Sequence, residues 1–331
     1  AGPAALPAGG PENAIGQDLR ERDLIAQLLA PLATHKAARG LADDAAVWLP
    51  PLGRELVLTH DTLAAGVHFL QGDPPSDIAW KLLATNLSDL AAKGATPAGV
   101  LLSLGLSAAE DDAWLRGFVS GLARGLERWN VALFGGDTIS GLAQAVLGLT
   151  AIGHVEPGLA RARSGAQAGD LLWVSGSIGD AGLGLAVAQG RLPHDKYLLG
   201  RFRRPEPRLA LGAALSPVVH AMMDVSDGVL IDAQRMAVAS GLAVTVNLAA
   251  LPLSPAAAAL TPDDAARLER ATAGDDYELL FAASPHADIA ALAVLHRLPL
   301  TCIGTFEAGT GLRVRSADGV DCTPDRLGWE H

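Results

Sequence analysis

Strands and helices alternate through both halves of this chain, which predicts an α/β or α+β fold in two domains. Two further observations support that expectation. At 331 residues the chain is too long for one typical domain and suits two. Half of its residues are hydrophobic and 18% are charged, enough for a large core and too apolar for global disorder.

Residues 1–16, AGPAALPAGGPENAIG, lack the basic start of a signal peptide and read as a flexible leader. The stretch 20–33 carries Leu24, Ile25 and Leu28 at helical spacing, predicting an amphipathic helix. ELVLTHDT reads as a strand with Leu56, Leu58 and His60 on one face and Val57, Thr59 and Asp61 on the other. Thr59 and Asp61 then present oxygens side by side. Asp77 is the expected cap of a helix running to about Lys93 and stopped by Gly94 and Pro97. Trp80, Leu83, Leu87 and Leu90 share one side of it, and Asn86, Asp89 and Lys93 another.

GVLLSLGL is a predicted strand, DDAWLRGFVSGLARGLERW a helix, NVALFGGDT a strand ending in a glycine-rich turn, and AQAVLGLTAIGHV another strand. Pro, Gly and Arg break the pattern near residues 156–168, so the domain boundary falls there: an N-terminal domain over 17–156 and a C-terminal domain over 157–331. The second half reads as a strand, a Gly-rich turn and a helix from Asp170, then a helix around 207–221. The DVSDG segment with its own helix follows, then strands at LAVTVNL, GDDYELLFAAS, LTCIGTF and GLRVRS.

A net charge of −11 and a pI near 5.2 argue against a nucleic-acid backbone or an anionic membrane as the main partner. Phosphate ligands remain compatible, because divalent cations bridge acidic proteins to phosphates. Cys302 and Cys322 form no CxxC pair, and no apolar run approaches the length of a membrane span, so a cytoplasmic protein is expected.

Six acidic segments stand out: ADDAAV (42–47), THDTLAAGVHF (59–69), NLSDLAAKGA (86–95), GGDT (135–138), DVSDG (224–228) and GDDYELLF (274–281). Each has an ordinary structural explanation. Ser226 or Asp227 would serve as a helix N-cap, and Asp89 with Lys93 as a surface pair. Together, at the ends of predicted strands, they form a hard-oxygen donor set that selects Mg²⁺ or Mn²⁺ over zinc. Mg²⁺ favours one or two carboxylates plus substrate phosphates. There is no GxxxxGK[ST] loop and no kinase HRD or DFG set, and SGSIGDAGLG matches a dinucleotide fingerprint only loosely.

The ordered motifs GLADDAAV, LTHDTLAAGVHF, NLSDLAAKGATP, GGDT, RARSGAQAGD, DVSDGVLID, GDDYELLF and GWEH resemble the thiamine-monophosphate kinase family over roughly residues 17–331. That family groups with aminoimidazole ribonucleotide synthetase and selenophosphate synthetase. The resemblance implies a two-domain aminoimidazole ribonucleotide synthetase-like fold, each domain a mixed sheet packed with helices, and a homodimer. It implies transfer of the ATP γ-phosphate to thiamine monophosphate, with several Mg²⁺ ions. Carried over by position, the metal ligands are Asp44, Thr59, Asp61, Asp89, Asp137, Asp224 and Asp227. Nucleotide contacts fall on Gly136, Asp137, Arg163 and Ser226, and thiamine-phosphate contacts on His68, Glu278 and Trp329. Asp227, Asp137 and Arg163 are the residues expected to carry catalysis. Ala42 for Gly, His60 for Thr and Asp275 for Glu depart from the family pattern without removing a carboxylate.

The acceptor phosphate is largely ionised at neutral pH, so a strong base is unnecessary and repulsion between anions is the obstacle. Two alternatives stay open: another ATP-dependent synthetase of the same superfamily, and a non-catalytic nucleotide- or metal-binding regulator.

Overall fold

A computed structural model describes residues Glu21–Glu330. The leader expected over 1–16 and the terminal His331 lie outside the described residues. Two compact units divide the chain. One comprises the described residues up to Leu49, His60–Leu82 and Gly99–Thr150; the other comprises Pro50–Thr59, Leu83–Ala98 and the described residues from Ala151 on.

In chain order the first elements are α1 (Glu21–Leu24), β1 (Glu55–Ala64), α2 (Pro75–Ala92), β2 (Thr96–Ser107), α3 (Asp112–Trp129), β3 (Ala132–Leu142) and β4 (Val146–Val155). The four strands form one sheet in the order β1-β4-β2-β3, with β2 and β3 parallel. The helix expected over 20–33 is a single α turn at Glu21–Leu24 that loosens into a π turn over Ile25–Leu29 and tightens over Ala30–Leu32, where Pro31 denies it a regular N–H. On β1 the expected alternation holds: Leu56, Leu58 and His60 are exposed, while Val57, Thr59 and Asp61 are half-buried.

Asp77 is not the cap of α2. The helix already begins at Pro75, whose fixed φ and missing N–H suit a first helical position, so Asp77 lies inside the first turn. Helix α3 has the clearest amphipathic pattern. Leu115, Phe118, Leu122 and Leu126 are buried, the Asp111 carboxylate caps the Trp114 N–H at 2.8 Å, and Asn130 ends the helix in the left-handed region. GGDT does not form the predicted turn. Strand β3 runs straight through it, because Gly136 pairs with Leu102 so closely that a Cβ would lie 1.9 Å from the Leu102 carbonyl oxygen. The glycine serves close approach of two strands.

The remaining elements are β5 (Leu171–Ser175), α4 (Asp180–Ala188), α5 (Lys196–Arg203), α6 (Leu209–Leu215), β6 (Ala221–Asp224), α7 (Val229–Ser240), β7 (Ala243–Asn247), α8 (Pro255–Ala259), α9 (Asp264–Ala271), β8 (Leu279–Ala283), α10 (Ile289–His296), β9 (Leu300–Glu307) and β10 (Gly311–Arg315). The strand order is β10-β7-β9-β5-β8-β6, a mixed sheet in which only the β10–β7 pair is parallel. The helix expected over 207–221 stops at Leu215, since Pro217 cannot continue it, and HAMM feeds the strand instead.

Strands β6 and β8 are buried on both faces. Met223 and Leu280 pack with Leu230, Ala233 and Met236 of α7, while Met222, Leu279 and Phe281 pack with Leu211 and Leu215 of α6 and with Ala91 of α2. Helices therefore cover both sides, giving three layers here. This is why AMM and LLFAA read as unbroken apolar runs. Cys302 and Cys322 are free and partly buried, and burial raises both thiol pKa values, which suits inert side chains. Among the described residues no helix is long and apolar enough to cross a membrane.

Candidate active site

The buried end of β6 delivers Asp224, and the turn after it carries Ser226 and Asp227. Within the same unit, α2 brings Ser88 and Asp89 to this place. Ser88 Oγ donates to Asp224 Oδ2 at 2.6 Å in a buried contact, and Thr59 Oγ1 donates a short hydrogen bond to Asp89 Oδ2. Lys93 lies one turn beyond Asp89. Burial first, and Arg163 second, hold its ammonium below the ordinary lysine pKa, while Asp224 and Asp89 pull it back up. Asp89, Asp224, Lys93 and Arg163 thus share one electrostatic neighbourhood. Arg163 reaches it on the segment whose Ala162 carbonyl accepts from Met222 N at 2.9 Å, directly ahead of Asp224.

The turn 225–228 is held by three other pieces of chain. Asp232, fully buried in the first turn of α7, accepts from Ser226 N at 3.1 Å and Asp227 N at 3.2 Å through one oxygen. Neither Ser226 nor Asp227 is the helix cap expected from sequence. Gly228 takes that position, with no side chain capping the helix. Burial pushes the Asp232 carboxyl up to about 6, opposed by the Asp227 N–H and the Arg235 charge. Arg235 donates to Asp232 Oδ1 at 2.9 Å and, more closely, to Asp227 Oδ2. Trp329 N donates to the Asp227 carbonyl at 2.8 Å, and the half-exposed Trp329 ring has the Arg326 guanidinium 5.6 Å from its centroid.

The GDDYE loop forms the third side. Asp275 N donates to Ser226 O at 2.8 Å, Tyr277 N to Val225 O at 2.9 Å, and Val225 N to Glu278 O at 2.8 Å. Asp275 and Tyr277 both adopt positive φ, 70° and 52°, a conformation that costs about 1–3 kcal/mol each and persists where its surroundings impose it. A Cβ on Gly274 would lie 2.5 Å from Ser226 O, and one on Gly328 2.5 Å from Asp227 O. Main chain from two distant segments therefore lies directly against this turn.

Glu278 is fully buried. Its carboxylate accepts from Ser175 Oγ at 2.6 Å, Arg201 Nη2 at 2.9 Å and Arg208 Nε at 2.7 Å, with a second, shorter bond from Arg208 Nη2. Nothing of that side chain faces solvent, so direct contact with a substrate, as expected from sequence, does not fit its surroundings in this conformation. Arg201 also reaches the Asp276 carbonyl at 3.2 Å and approaches Asp180 Oδ2 at 4.0 Å. Asp276 accepts from Gly179 N at 2.7 Å and Ala181 N at 3.3 Å at the start of α4.

Burial pushes the Asp276 carboxyl up to about 8, with the Asp180 charge adding and the Gly179 and Ala181 N–H groups and Arg201 opposing. A native state that keeps a proton which the unfolded chain releases near 3.8 loses stability as pH rises between those values. The slope is at most about 1.4 kcal/mol per pH unit. Urea midpoints measured at pH 6, 7 and 8 are expected to fall more steeply for the native sequence than for Asp276→Asn. Equal slopes would remove Asp276 as the source.

The other unit holds the rest of the sequence-derived set. Asp44 is exposed, beside Asp43, which takes an ion pair from Arg39. Asp61 is half-buried on β1, and Asp137 is exposed on β3 in register with Ser103. His68 Nδ1 accepts from Ala64 N at 3.1 Å, and Lys81 Nζ donates to the His68 carbonyl at 3.1 Å. His60 is tied to Thr150 at 2.9 Å and Thr62 at 3.2 Å on the outer face of β1. Gly136→Ala is expected to cost about 1–3 kcal/mol of stability by forcing β3 off β2, seen as a lower urea midpoint. An unchanged midpoint would show that the strands absorb the methyl group.

Among the described residues, no three His, Cys, Asp or Glu side chains stand close enough together to hold a metal ion. The donors that do gather, Thr59, Asp89 and Asp224, are all hard oxygens, and two carboxylates completed by phosphate oxygens are what Mg²⁺ uses. The residues present fit that ion.

Sequence reasoning missed Asp232, Arg235, Arg201 and Arg208. Asp232 and Arg235 were within reach, being one helical turn apart directly after DVSDG. The two arginines meet Glu278 from 70 or more positions away and leave no local trace.

Comparison with known proteins agrees with this architecture. Residues 42–155 match the family model of the AIR synthase related protein, N-terminal domain, and residues 167–316 that of the C-terminal domain. A thiamine-monophosphate kinase of Caulobacter vibrioides is 41% identical, covering 99% of this chain and 93% of its own length. The crystal structure of a thiamine-monophosphate kinase from Stenotrophomonas maltophilia is 40% identical with a TM-score of 0.78, over 88% of this chain and 94% of that one. A structure described as AaThiL complexed with AMPPCP and TMP is 28% identical with a TM-score of 0.74, over 93% and 96%. Through matched domains, fold and sequence alike, the chain belongs to the AIR synthase related proteins and, among them, to the thiamine-monophosphate kinase family.

Proposed function

We propose that this chain transfers the γ-phosphate of ATP directly to thiamine monophosphate, giving thiamine diphosphate and ADP, by Mg²⁺-assisted in-line transfer without a phosphoenzyme. The observation that carries the reading is the pairing of two hydroxyls with two carboxylates, Thr59 with Asp89 and Ser88 with Asp224, beside Lys93 and Arg163. A similar structure complexed with AMPPCP and TMP supports a nucleotide analogue and a second ligand as joint occupants.

Asp44, Thr59, Asp61, Asp89, Asp137, Asp224 and Asp227 are the proposed metal ligands. When bound, Mg²⁺ supplies charge neutralisation between the two anionic reactants and polarises the transferring phosphoryl group. The chain's own residues do the rest. Arg163 and Ser226, with Gly136 and Asp137, hold the nucleotide phosphates, the guanidinium suiting a bidentate grip. His68 and the Trp329 ring contact thiamine phosphate, an indole face being suited to a thiazolium cation. Glu278 serves the same substrate indirectly by fixing the GDDYE loop.

The proposed N-terminal domain, 17–156, also supplies the surface of a homodimer. Its strands expose Leu56, Leu58, Leu101, Ile139 and Val146. A cytoplasmic location accompanies this reading. Incubation with ATP, Mg²⁺ and thiamine monophosphate, followed by thiochrome fluorescence, tests the activity. Thiamine diphosphate as product supports the kinase, and nucleotide binding without product favours a regulator.

A further inference from the structure

Asp227, a proposed metal ligand, already holds an ion pair with a cation of the protein. Arg235 donates to its Oδ2, and through the same Nη1 to Oδ1 of Asp232 at 2.9 Å. The two acceptors differ in setting. Asp232 is fully buried and fixed by the N–H groups of Ser226 and Asp227, whereas the Asp227 side chain is about a fifth exposed and Arg235 about a third. One acceptor is thus anchored, and the other is accessible to a ligand from solution. No other described element supplies a hydrogen bond to either carboxylate oxygen of Asp227.

We propose that Arg235 is a resident counter-cation of Asp227, occupying its carboxylate until a divalent ion arrives and then being retained by Asp232 alone. The inference rests on the reading of Asp227 as a metal ligand. Its physical content is competition. A guanidinium and a divalent cation seek the same carboxylate and repel each other, so Arg235 weakens metal binding at Asp227. Asp232 limits that weakening by offering Arg235 an alternative partner one helical turn away. Without Arg235, Asp227 would present its full charge to any cation. Without the Asp232 charge, Arg235 would have only Asp227 to hold. The two residues therefore act on metal affinity in opposite directions, which a purely structural role for either would not produce.

The test is Mn²⁺ binding to the full chain without nucleotide, followed by the electron paramagnetic resonance signal of the free ion, so that no turnover is needed. Arg235→Met is expected to tighten Mn²⁺ binding about threefold, and Asp232→Asn to weaken it by a similar factor, the scale of a partly exposed charge pair. Arg235→Lys, which keeps the charge, is expected to restore native affinity. Shifts of the same sign in Arg235→Met and Asp232→Asn, or no shift in Arg235→Met, would overturn the proposal. If Asp232→Asn does not fold, the Arg235→Met measurement and its lysine rescue decide alone. Asp227→Asn separates the two levels of the argument. If it leaves Mn²⁺ binding unchanged, the ligand assignment falls and the counter-cation role with it. If it weakens binding while Arg235→Met does nothing, the counter-cation role alone falls.

Discussion

Asp227→Asn is expected to lower turnover at least about a hundredfold at saturating ATP and thiamine monophosphate, the loss typical when one element of electrostatic transition-state stabilisation is removed. The substitution is nearly isosteric, so shape and the main-chain bonds that Asp227 makes to Asp232 and Trp329 survive it. What disappears is one negative charge at the point where Mg²⁺ is proposed to sit between two anions. Folding is expected to be little affected, because the lost ion pair with Arg235 is partly exposed and Arg235 keeps Asp232. The measurement is kcat by thiochrome fluorescence across a Mg²⁺ titration, with a urea midpoint as control. Near-native turnover at high Mg²⁺ would remove Asp227 from the catalytic set.

Glu278→Ala is expected to produce the largest loss of stability of any single substitution considered. It leaves Arg201 and Arg208, only 13% and 17% exposed, facing each other across the space of the missing carboxylate. Breaking a buried ion pair from one side costs about 3–5 kcal/mol, because the remaining charge stays desolvated without compensation. Ser175 also loses its acceptor, while its bond to Leu279 N is untouched. A drop in the urea midpoint shows the effect. A cost under about 1 kcal/mol would mean that the arginines find water or other acceptors. Glu278→Gln keeps one oxygen and is expected to fall between the two.

The parts of the fold legible in the sequence were those where local pattern and burial agree. Helix α3 was readable because Leu115, Phe118, Leu122 and Leu126 repeat on one face, and β1 because Thr59 and Asp61 alternate with exposed Leu58 and His60. Turn chemistry misled at GGDT. A glycine pair usually marks a turn, but Gly136 is required by the passing Leu102 carbonyl, a neighbour more than thirty positions away. Asp77 misled for the opposite reason: a good capping residue was overruled by Pro75 two positions earlier. The acidic motifs themselves were plain. Their pairing was not, since Ser88 meets Asp224 across 136 positions and Thr59 meets Asp89 across 30. The arginine fork on the buried Glu278 was invisible for the same reason.

The close approach of Gly274 and Gly328 to the Ser226 and Asp227 carbonyls has a consequence for anyone altering this molecule. Neither glycine lies near the turn in sequence, and neither has a side chain to lose, yet each reserves the room in which the acidic turn keeps its shape. Saturation mutagenesis would record them as isolated intolerant positions far apart along the gene, and any redesign around this turn has to leave both bare.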